Sequence, residues 1–126
     1  MLDKQLFEYA VLRIVPRVER EEFINIGIIL YCAKAKFMES AFEINEKRLL
    51  ALCPEIDVEE IRCHAAAFSK ICIGKGGGPI GELDMPSRFR WLTATRSTVF
   101  QSSKVHPGFC TEPGDMLERL KEQLVL

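Results

Sequence analysis

The stretch FINIGIIL, residues 23–30, decides the fold because it combines strong strand formers with two residues that weaken a strand. Four isoleucines, a leucine and a phenylalanine favour an extended, buried conformation. Asn25 and Gly27 interrupt this run, although both residue types are depleted in strand interiors. We therefore expect a central strand in which these two residues have a specific structural or functional reason.

Two further segments with strand character flank this stretch. LFEYAVLRIV (6–15) is rich in β formers, FMESAFEI (37–44) alternates, and short polar links join all three into a predicted antiparallel meander. We centre the first hairpin on Glu19 and the second on Lys34. That register places four side chains on one apolar face: Ile24, Ile26, Ile28 and Leu30. A one-residue slip would mix the faces, which favours this register. A two-residue slip would not, and a bulge in the first link could also shift the register.

The same register places Asn25 and Gly27 on the opposite face of the sheet. There Gly27 and Ala41 would form a shallow notch beside a polar row of Arg13, Asn25 and Glu43. One interpretation is a solvent-exposed face with cross-strand polar pairs. The other is a backbone left open for close approach by a helix, a partner or a ligand. Both interpretations stay open on the sequence alone.

Helix signals follow the meander. Four residues are placed to begin helices: Asn45, Asp57, Asp84 and Thr111. Gly74 ends the second helix, and GKGGGPIG (74–81) is interpreted as a flexible linker, since its lysine is not followed by Ser or Thr as a phosphate loop requires. Segment 96–103 is predicted to be a fourth strand, and HPGFC (106–110) a loop.

The predicted fold class is α+β, in the order β-β-β-α-α-α-β-α, within one domain that spans residues 1–126. We expect two layers, with an antiparallel sheet of about four strands and helices on one face. Hydrophobic residues make up 48% of the chain, which is enough for a substantial core.

Composition excludes several classes of function. The 17 basic and 18 acidic residues give a net charge of -1, which argues against a dedicated nucleic-acid-binding protein. No apolar run approaches the ~20 residues of a membrane helix, and the amino terminus does not resemble a signal peptide. The five cysteines are odd in number and form no CxxC pair, which predicts free thiols, a cytoplasmic location and no metal site.

Catalytic residues are not apparent in the sequence. The chain has two histidines, His64 and His106, and no GxSxG motif. Cys110 and His106 lie four residues apart in a predicted loop, where chance proximity is favoured over a catalytic dyad. We therefore assign no catalytic residue and no cofactor, and favour a protein that is not an enzyme.

Two long segments resemble the signatures of a bacterial family, the domain of unknown function 3037 family. They are YAVLRIVPRVEREEFINIGIIL (9–30) and FRWLTATRSTVFQSS (89–103), the latter followed by HPGFCTEPGDMLERL (106–120). The first segment matches at Arg13, Val15, Pro16, Glu22, Phe23, Asn25, Gly27 and Leu30. The second matches at Phe89, Trp91, Leu92, Arg96, Gln101, Thr111, Pro113 and Leu117. The family usually has Gly where this chain has Glu21, so the turn there is expected to differ.

The resemblance implies little about activity, because the family has none established. It implies a bacterial intracellular protein whose gene lies beside genes of HipA-like kinases, and hence an accessory role with such a kinase. The match also gives weight to the interpretation of the notch as a site. The candidate ligand- or partner-binding residues are Arg13, Glu22, Asn25, Gly27, Arg96 and Gln101.

Two functional hypotheses follow from these residues. The first is an interaction module that binds a HipA-like kinase or forms a homodimer, and it predicts an exposed patch such as Phe7, Tyr31 and Phe37. The second is a small enzyme or binder of a phosphate-bearing ligand, in which Arg13 and Arg96 converge near Asn25, held by Glu22 or Glu43. An internal salt bridge that locks the first hairpin to the fourth strand is the structural alternative.

Overall fold

The computed structural model describes residues 4–96 and 98–126. Its antiparallel sheet contains β1 (Gln5–Ile14), β2 (Ile24–Cys32), β3 (Phe37–Phe42), β4 (Phe100–Ser102) and β5 (His106–Cys110). Strand β1 is central, because it pairs with β2 on one side and with both β4 and β5 on the other. Strand β3 pairs with the far side of β2 and forms one edge of the sheet.

The helices are α1 (Glu46–Leu52), α2 (Val58–Ile73), the short α3 (Gly78–Gly81), α4 (Met85–Leu92) and α5 (Pro113–Leu124), and a 3-10 turn spans Val18–Arg20. The predicted caps Asn45, Asp57 and Asp84 are confirmed, since each side chain accepts a hydrogen bond from the N–H three residues on. The predicted cap Thr111 is wrong, because the N-cap residue of α5 is Glu112, one residue later, and its side chain makes no capping hydrogen bond. None of the described helices has both the length and the apolar character needed to cross a lipid bilayer.

The α+β class with an antiparallel sheet is confirmed. The predicted loop at residues 106–110 is wrong, because it forms β5 and pairs with the first half of β1. Pro107 is tolerated there because β5 is an edge strand, where one row of backbone groups has no strand partner. The predicted fourth strand is confirmed only at 100–102, and its Ser97 lies outside the described residues.

A β-bulge at Ile26 sets which side chains lie on each face of the sheet. Arg13 pairs with Asn25 as predicted, but Leu12 pairs with Gly27, so Ile26 has no direct partner on β1. Beyond the bulge the β1–β2 pairing differs by one residue from the predicted register, and so does the β2–β3 pairing. The predicted second-face notch at Gly27 is therefore wrong, because Gly27 faces Phe42 in the core.

Each face of the sheet packs into its own hydrophobic core. The first core contains Ile26 and is covered by residues of α1, α2 and α4. The second core contains Ile28 and Leu30, which pack with Leu117 and Leu120 of α5. The expected burial is confirmed for Ile26, Ile28 and Leu30 but not for Ile24, which is half-buried, and the four side chains do not share one face. The prediction of two layers with helices on one face is also wrong, because the second face is apolar too and α5 covers it.

Gly27 is required where β2 passes beneath the ring of Phe42. A Cβ atom at Gly27 would lie 2.6 Å from Phe42 Cδ1 and 2.9 Å from the carbonyl oxygen of Ala41. Both distances are too short for ordinary packing, and the carbonyl cannot rotate away. We predict that Gly27→Ala lowers the free energy of unfolding by about 1–3 kcal/mol, as measured by urea denaturation.

Gly114→Ala is a matched control for this substitution. Its added Cβ would meet nothing closer than Glu112 Oε1 at 3.9 Å, and it lies in the first turn of α5. Alanine favours a helix over glycine, so this variant should be as stable as the wild type or more stable by up to ~1 kcal/mol. A Gly27→Ala protein as stable as Gly114→Ala would contradict the close approach.

Candidate functional site

The structure brings together three of the predicted site residues: Arg13, Asn25 and Gln101. Arg13 pairs directly with Asn25 on β2 and with Gln101 on β4, so the three form one row across the sheet. The Arg13 guanidinium lies over the ring of Phe23, with 4.1 Å between its carbon and the ring centroid. Gln101 Nε2 donates to the carbonyl of Thr98 at 2.7 Å.

Asn25 has a structural role at the end of α5. Its Nδ2 donates to the carbonyl oxygen of Leu124 at 3.0 Å, and Arg48 Nη1 donates to that of Val125 at 3.3 Å. Carbonyls at the end of a helix have no partner within it, so the two side chains satisfy two of the free acceptors where α5 ends. This contact fixes α5 against β2 and gives a structural reason for an asparagine inside the strand.

The other predicted site residues lie apart from this row. Arg96 Nη2 donates to the carbonyl of Trp91 at 2.6 Å, and its guanidinium lies over the Trp91 ring at 4.7 Å. Arg96 also lines a pocket with first-core residues, on the face opposite α5. The expected convergence of Arg13 and Arg96 is therefore wrong. Glu22 does not hold Arg13 either, because it pairs with Arg20.

The predicted exposed patch is also wrong. Phe7 is buried, and Tyr31 and Phe37 are half-buried parts of the two cores. The register shift directs Tyr31 towards Phe89 of α4, with 5.1 Å between the ring centroids. Phe7 and Phe37 stay on the second face, where they pack in the core that α5 covers.

A cleft of about 370 Å³ lies where the end of β1, the α1–α2 link, α2 and the start of β4 meet. Its apolar floor is formed by Ile14, Ile56, Ile61 and Phe100. Charged residues at its wall are Arg17, Glu55, Asp57 and Glu60. We call this cavity the acidic cleft, because its acids outnumber its single arginine.

Two smaller cavities continue the acidic cleft at opposite ends. The Arg96 pocket, of about 210 Å³, shares His64 and Phe100 with the cleft and adds Trp91, Arg96, Thr98 and Ser102. A hollow of about 310 Å³ at the other end shares Pro16, Arg17 and Cys53 and adds Arg20 and Glu22. We call the three together the His64 groove. Two predicted site residues, Glu22 and Arg96, therefore line its opposite ends.

His64 lies at the junction between the acidic cleft and the Arg96 pocket. Its ring stacks on that of Phe100, with 4.2 Å between centroids and 14° between planes. Burial, and secondarily the positive charge of Arg96, lower the pKa of His64 despite the opposing effect of Glu60. The ring is therefore neutral at pH 7. Sequence patterns alone place His64 beside the apolar stripe of α2 and carry no signal for its contact with the distant Phe100.

Three of the five cysteine thiols are held in ways that disfavour nucleophilic attack. The Cys53 thiol donates to Glu55 Oε2 at 3.3 Å instead of to His64. Burial raises the pKa of the Cys72 thiol to about 12 and also raises the pKa of Cys110, so neither forms a thiolate readily. Within residues 4–96 and 98–126, no three His, Cys, Asp or Glu side chains are grouped to hold a metal ion.

A family model described as "Protein of unknown function (DUF3037)" matches residues 9–125, nearly the whole chain. The chain belongs to the DUF3037 family. No curated protein and no solved structure matches it. The resemblance read from the two signatures is confirmed, and DUF3037 membership assigns no activity to the groove.

The DUF3037 signature residues divide into two groups in this structure. Asn25 and Gly27 maintain the fold, through the end of α5 and the packing of Phe42. Pro16, Glu22, Trp91 and Arg96 line the His64 groove. The second group is therefore the part of the signature that is accessible to a ligand or partner.

The lowered pKa of His64 predicts a pH-dependent stability of this DUF3037 protein. Below the ordinary value of 6.5, the unfolded chain binds a proton at this residue more tightly than the folded chain does. Well above pH 6.5, His64 is unprotonated in both the folded and the unfolded chain, so it does not make stability depend on pH. Stability is lost as the pH falls through 6.5 towards the lower pKa of the folded chain. Urea denaturation at about pH 8, 6 and 5 should show a smaller loss for His64→Gln than for the wild type.

His106→Gln is the control, because it removes the other histidine and leaves His64 in place. It should keep the steeper pH dependence of the wild type. Equal losses of stability for the wild type and His64→Gln would show that His64 titrates alike in the folded and unfolded chains.

Proposed function

We propose that this DUF3037 protein is a non-catalytic interaction module that binds a segment of a partner protein in the His64 groove. The observation that carries the proposal is the groove itself, in which three adjoining cavities combine an apolar floor with charged walls. Such a combination suits an extended peptide, whose apolar side chains enter the floor while its polar groups meet the walls.

Large exposed apolar side chains support this choice of surface. Val99 in the acidic cleft is 46% exposed, and Trp91 in the Arg96 pocket is 42% exposed. Tryptophan is enriched at protein interfaces because its large ring gives much contact area at a low cost in conformational entropy. Both residues lie along the same groove, so one bound segment could cover them together.

The partner and its location are part of the proposal. A HipA-like kinase, suggested by the family resemblance, is the first partner to test, in a bacterial cytoplasm. A second copy of this chain is the alternative partner. The absence of a paired nucleophile and base among the described groove residues is consistent with an accessory role.

Val99→Glu tests the proposal because it removes an exposed apolar contact from the lining of the acidic cleft and replaces it with a hydrated carboxylate. We expect the wild type to bind a purified HipA-like kinase in a pull-down assay and Val99→Glu to lose that binding. The exposure of Val99 means that its replacement should not affect folding, and a circular dichroism melt checks this point.

Phe109→Glu is the matched control, because Phe109 is 65% exposed and lies on β5, outside the groove. It should retain the partner. If Phe109→Glu lost the partner and Val99→Glu still bound it, the binding surface would lie at the β5 edge, which would contradict the proposal. If the kinase does not bind the wild type, the same pair of variants is applied to self-association by analytical ultracentrifugation.

A binder of a phosphate-bearing ligand is the second candidate function, and the Arg96 pocket favours it. Arg96 supplies a guanidinium beside the exposed Trp91 ring, in a pocket whose described lining has no acidic residue. Guanidinium groups are common donors to phosphate oxygens. Calorimetric titration with inorganic pyrophosphate tests this candidate, which requires binding by the wild type that Arg96→Gln abolishes.

A further inference from the structure

We infer that the His64 groove selects a peptide segment in which a basic and an acidic residue are separated by one residue. The basic side chain enters the acidic cleft, and the acidic side chain reaches the Arg96 pocket. This inference rests on the proposed function and adds the chemistry of the partner segment to it.

The acidic cleft has an excess of negative charge. Arg17 Nη2 lies 3.7 Å from Glu55 Oε2, so these two charges offset each other. Asp57 and Glu60 remain, and neither forms an ion pair with a described residue. A lysine or arginine side chain matches this cleft, because its aliphatic stem can cover the apolar floor while its charged end meets the carboxylates.

The Arg96 pocket has the opposite charge. Its described lining contains Arg96 and no acidic residue. The Arg96 guanidinium donates to the Trp91 carbonyl through Nη2, and this bond holds it in place beside the pocket. A carboxylate that enters the pocket would therefore meet a positioned cation. The Thr98 and Ser102 hydroxyls add no free donor, because they already donate to the carbonyls of Phe100 and Ser103.

The stacked rings of His64 and Phe100 separate the two charged regions. Both rings line both cavities, so the cavities lie on either side of a single stacked pair. Because His64 is neutral at pH 7, it does not cancel the acidic side. An extended peptide directs side chains i and i+2 to the same side, about 7 Å apart, and this is the shortest spacing by which two side chains on one side can enter adjoining cavities. The groove therefore distinguishes the two ends of a bound segment.

Fluorescein-labelled heptapeptides test this inference by fluorescence polarisation at low salt and pH 7.5. The peptides are Ala-Val-Lys-Val-Glu-Val-Ala, its reversed-charge form Ala-Val-Glu-Val-Lys-Val-Ala, and the neutral form with Gln at both positions. One charged order should bind at least about fivefold more tightly than the neutral peptide and the reversed order. Added salt should weaken that preference, since the charges are partly exposed.

Variants of the protein assign each charge to its cavity. Glu60→Gln should weaken the preferred peptide about threefold to fivefold and leave a peptide with Gln in place of Lys unaffected. Arg96→Gln should likewise weaken the preferred peptide and leave a peptide with Gln in place of Glu unaffected. Arg96→Lys, which keeps the positive charge, should largely restore the affinity for the preferred peptide. Glu59→Gln is the matched control, because Glu59 lies in the same turn of α2 outside the groove and should bind as the wild type does.

Three results would overturn the inference. Equal affinity for all peptides, or no binding of any, would remove the charge selection. An equal loss of peptide affinity in Glu59→Gln and Glu60→Gln would show that the net charge of the protein, and not a carboxylate in the cleft, determines binding. Displacement of the peptide by inorganic pyrophosphate through Arg96 would favour the phosphate-binding candidate. The Val99→Glu pull-down decides the interaction module separately, so failure of the peptide selection does not by itself remove the proposed function.

Discussion

The β-bulge at Ile26 is the constraint on which the rest of the structure depends. It keeps Arg13 opposite Asn25 but shifts every later β2 pair by one residue, so that Ile26 and Ile28 enter different cores. An apolar strand buried on both faces needs a cover on each side, because exposed isoleucine side chains would lose the free energy of burial. The helices α1, α2 and α4 cover one face and α5 the other. Asn25 then contributes to the second cover by binding the last turn of α5.

The same arrangement leaves the His64 groove at one end of the first face. Strand β4 is short and pairs only with the last part of β1, and α2 crosses beside it, so Phe100 and His64 meet where the sheet ends. The polar row of Arg13, Asn25 and Gln101 lies on the other face and is engaged in internal contacts. The polar side chains that the sequence suggested as a site thus mainly maintain the fold. The accessible groove lies on the opposite face of the sheet, which was expected only to form a core.

Local features are predictable from this sequence, and long-range ones only in part. The caps at Asn45, Asp57 and Asp84 are found correctly because each depends on hydrogen bonds within three residues. Arg13 is correctly paired with Asn25 because the first hairpin begins in register, but nothing in a run of alternating isoleucines indicates where a bulge will fall. Arg96 is assigned to the wrong face because its position depends on the turn after α4. The groove is not predicted because His64 and Phe100 come from separate elements whose contact depends on tertiary packing.

The most direct test of the central claim is a two-dimensional NMR titration of ¹⁵N-labelled protein with the tighter-binding of the two charged peptides or with a purified partner. The account predicts that the largest chemical-shift changes fall on the amides of residues 53–64 and 98–102, on both sides of the His64–Phe100 stack. Changes confined to Asn25 and Gln101 would show that the ligand binds at the polar row of Arg13, Asn25 and Gln101. Changes confined to Leu6 and Phe109 would place it at the β5 edge. Either pattern would contradict the assignment of binding to the groove.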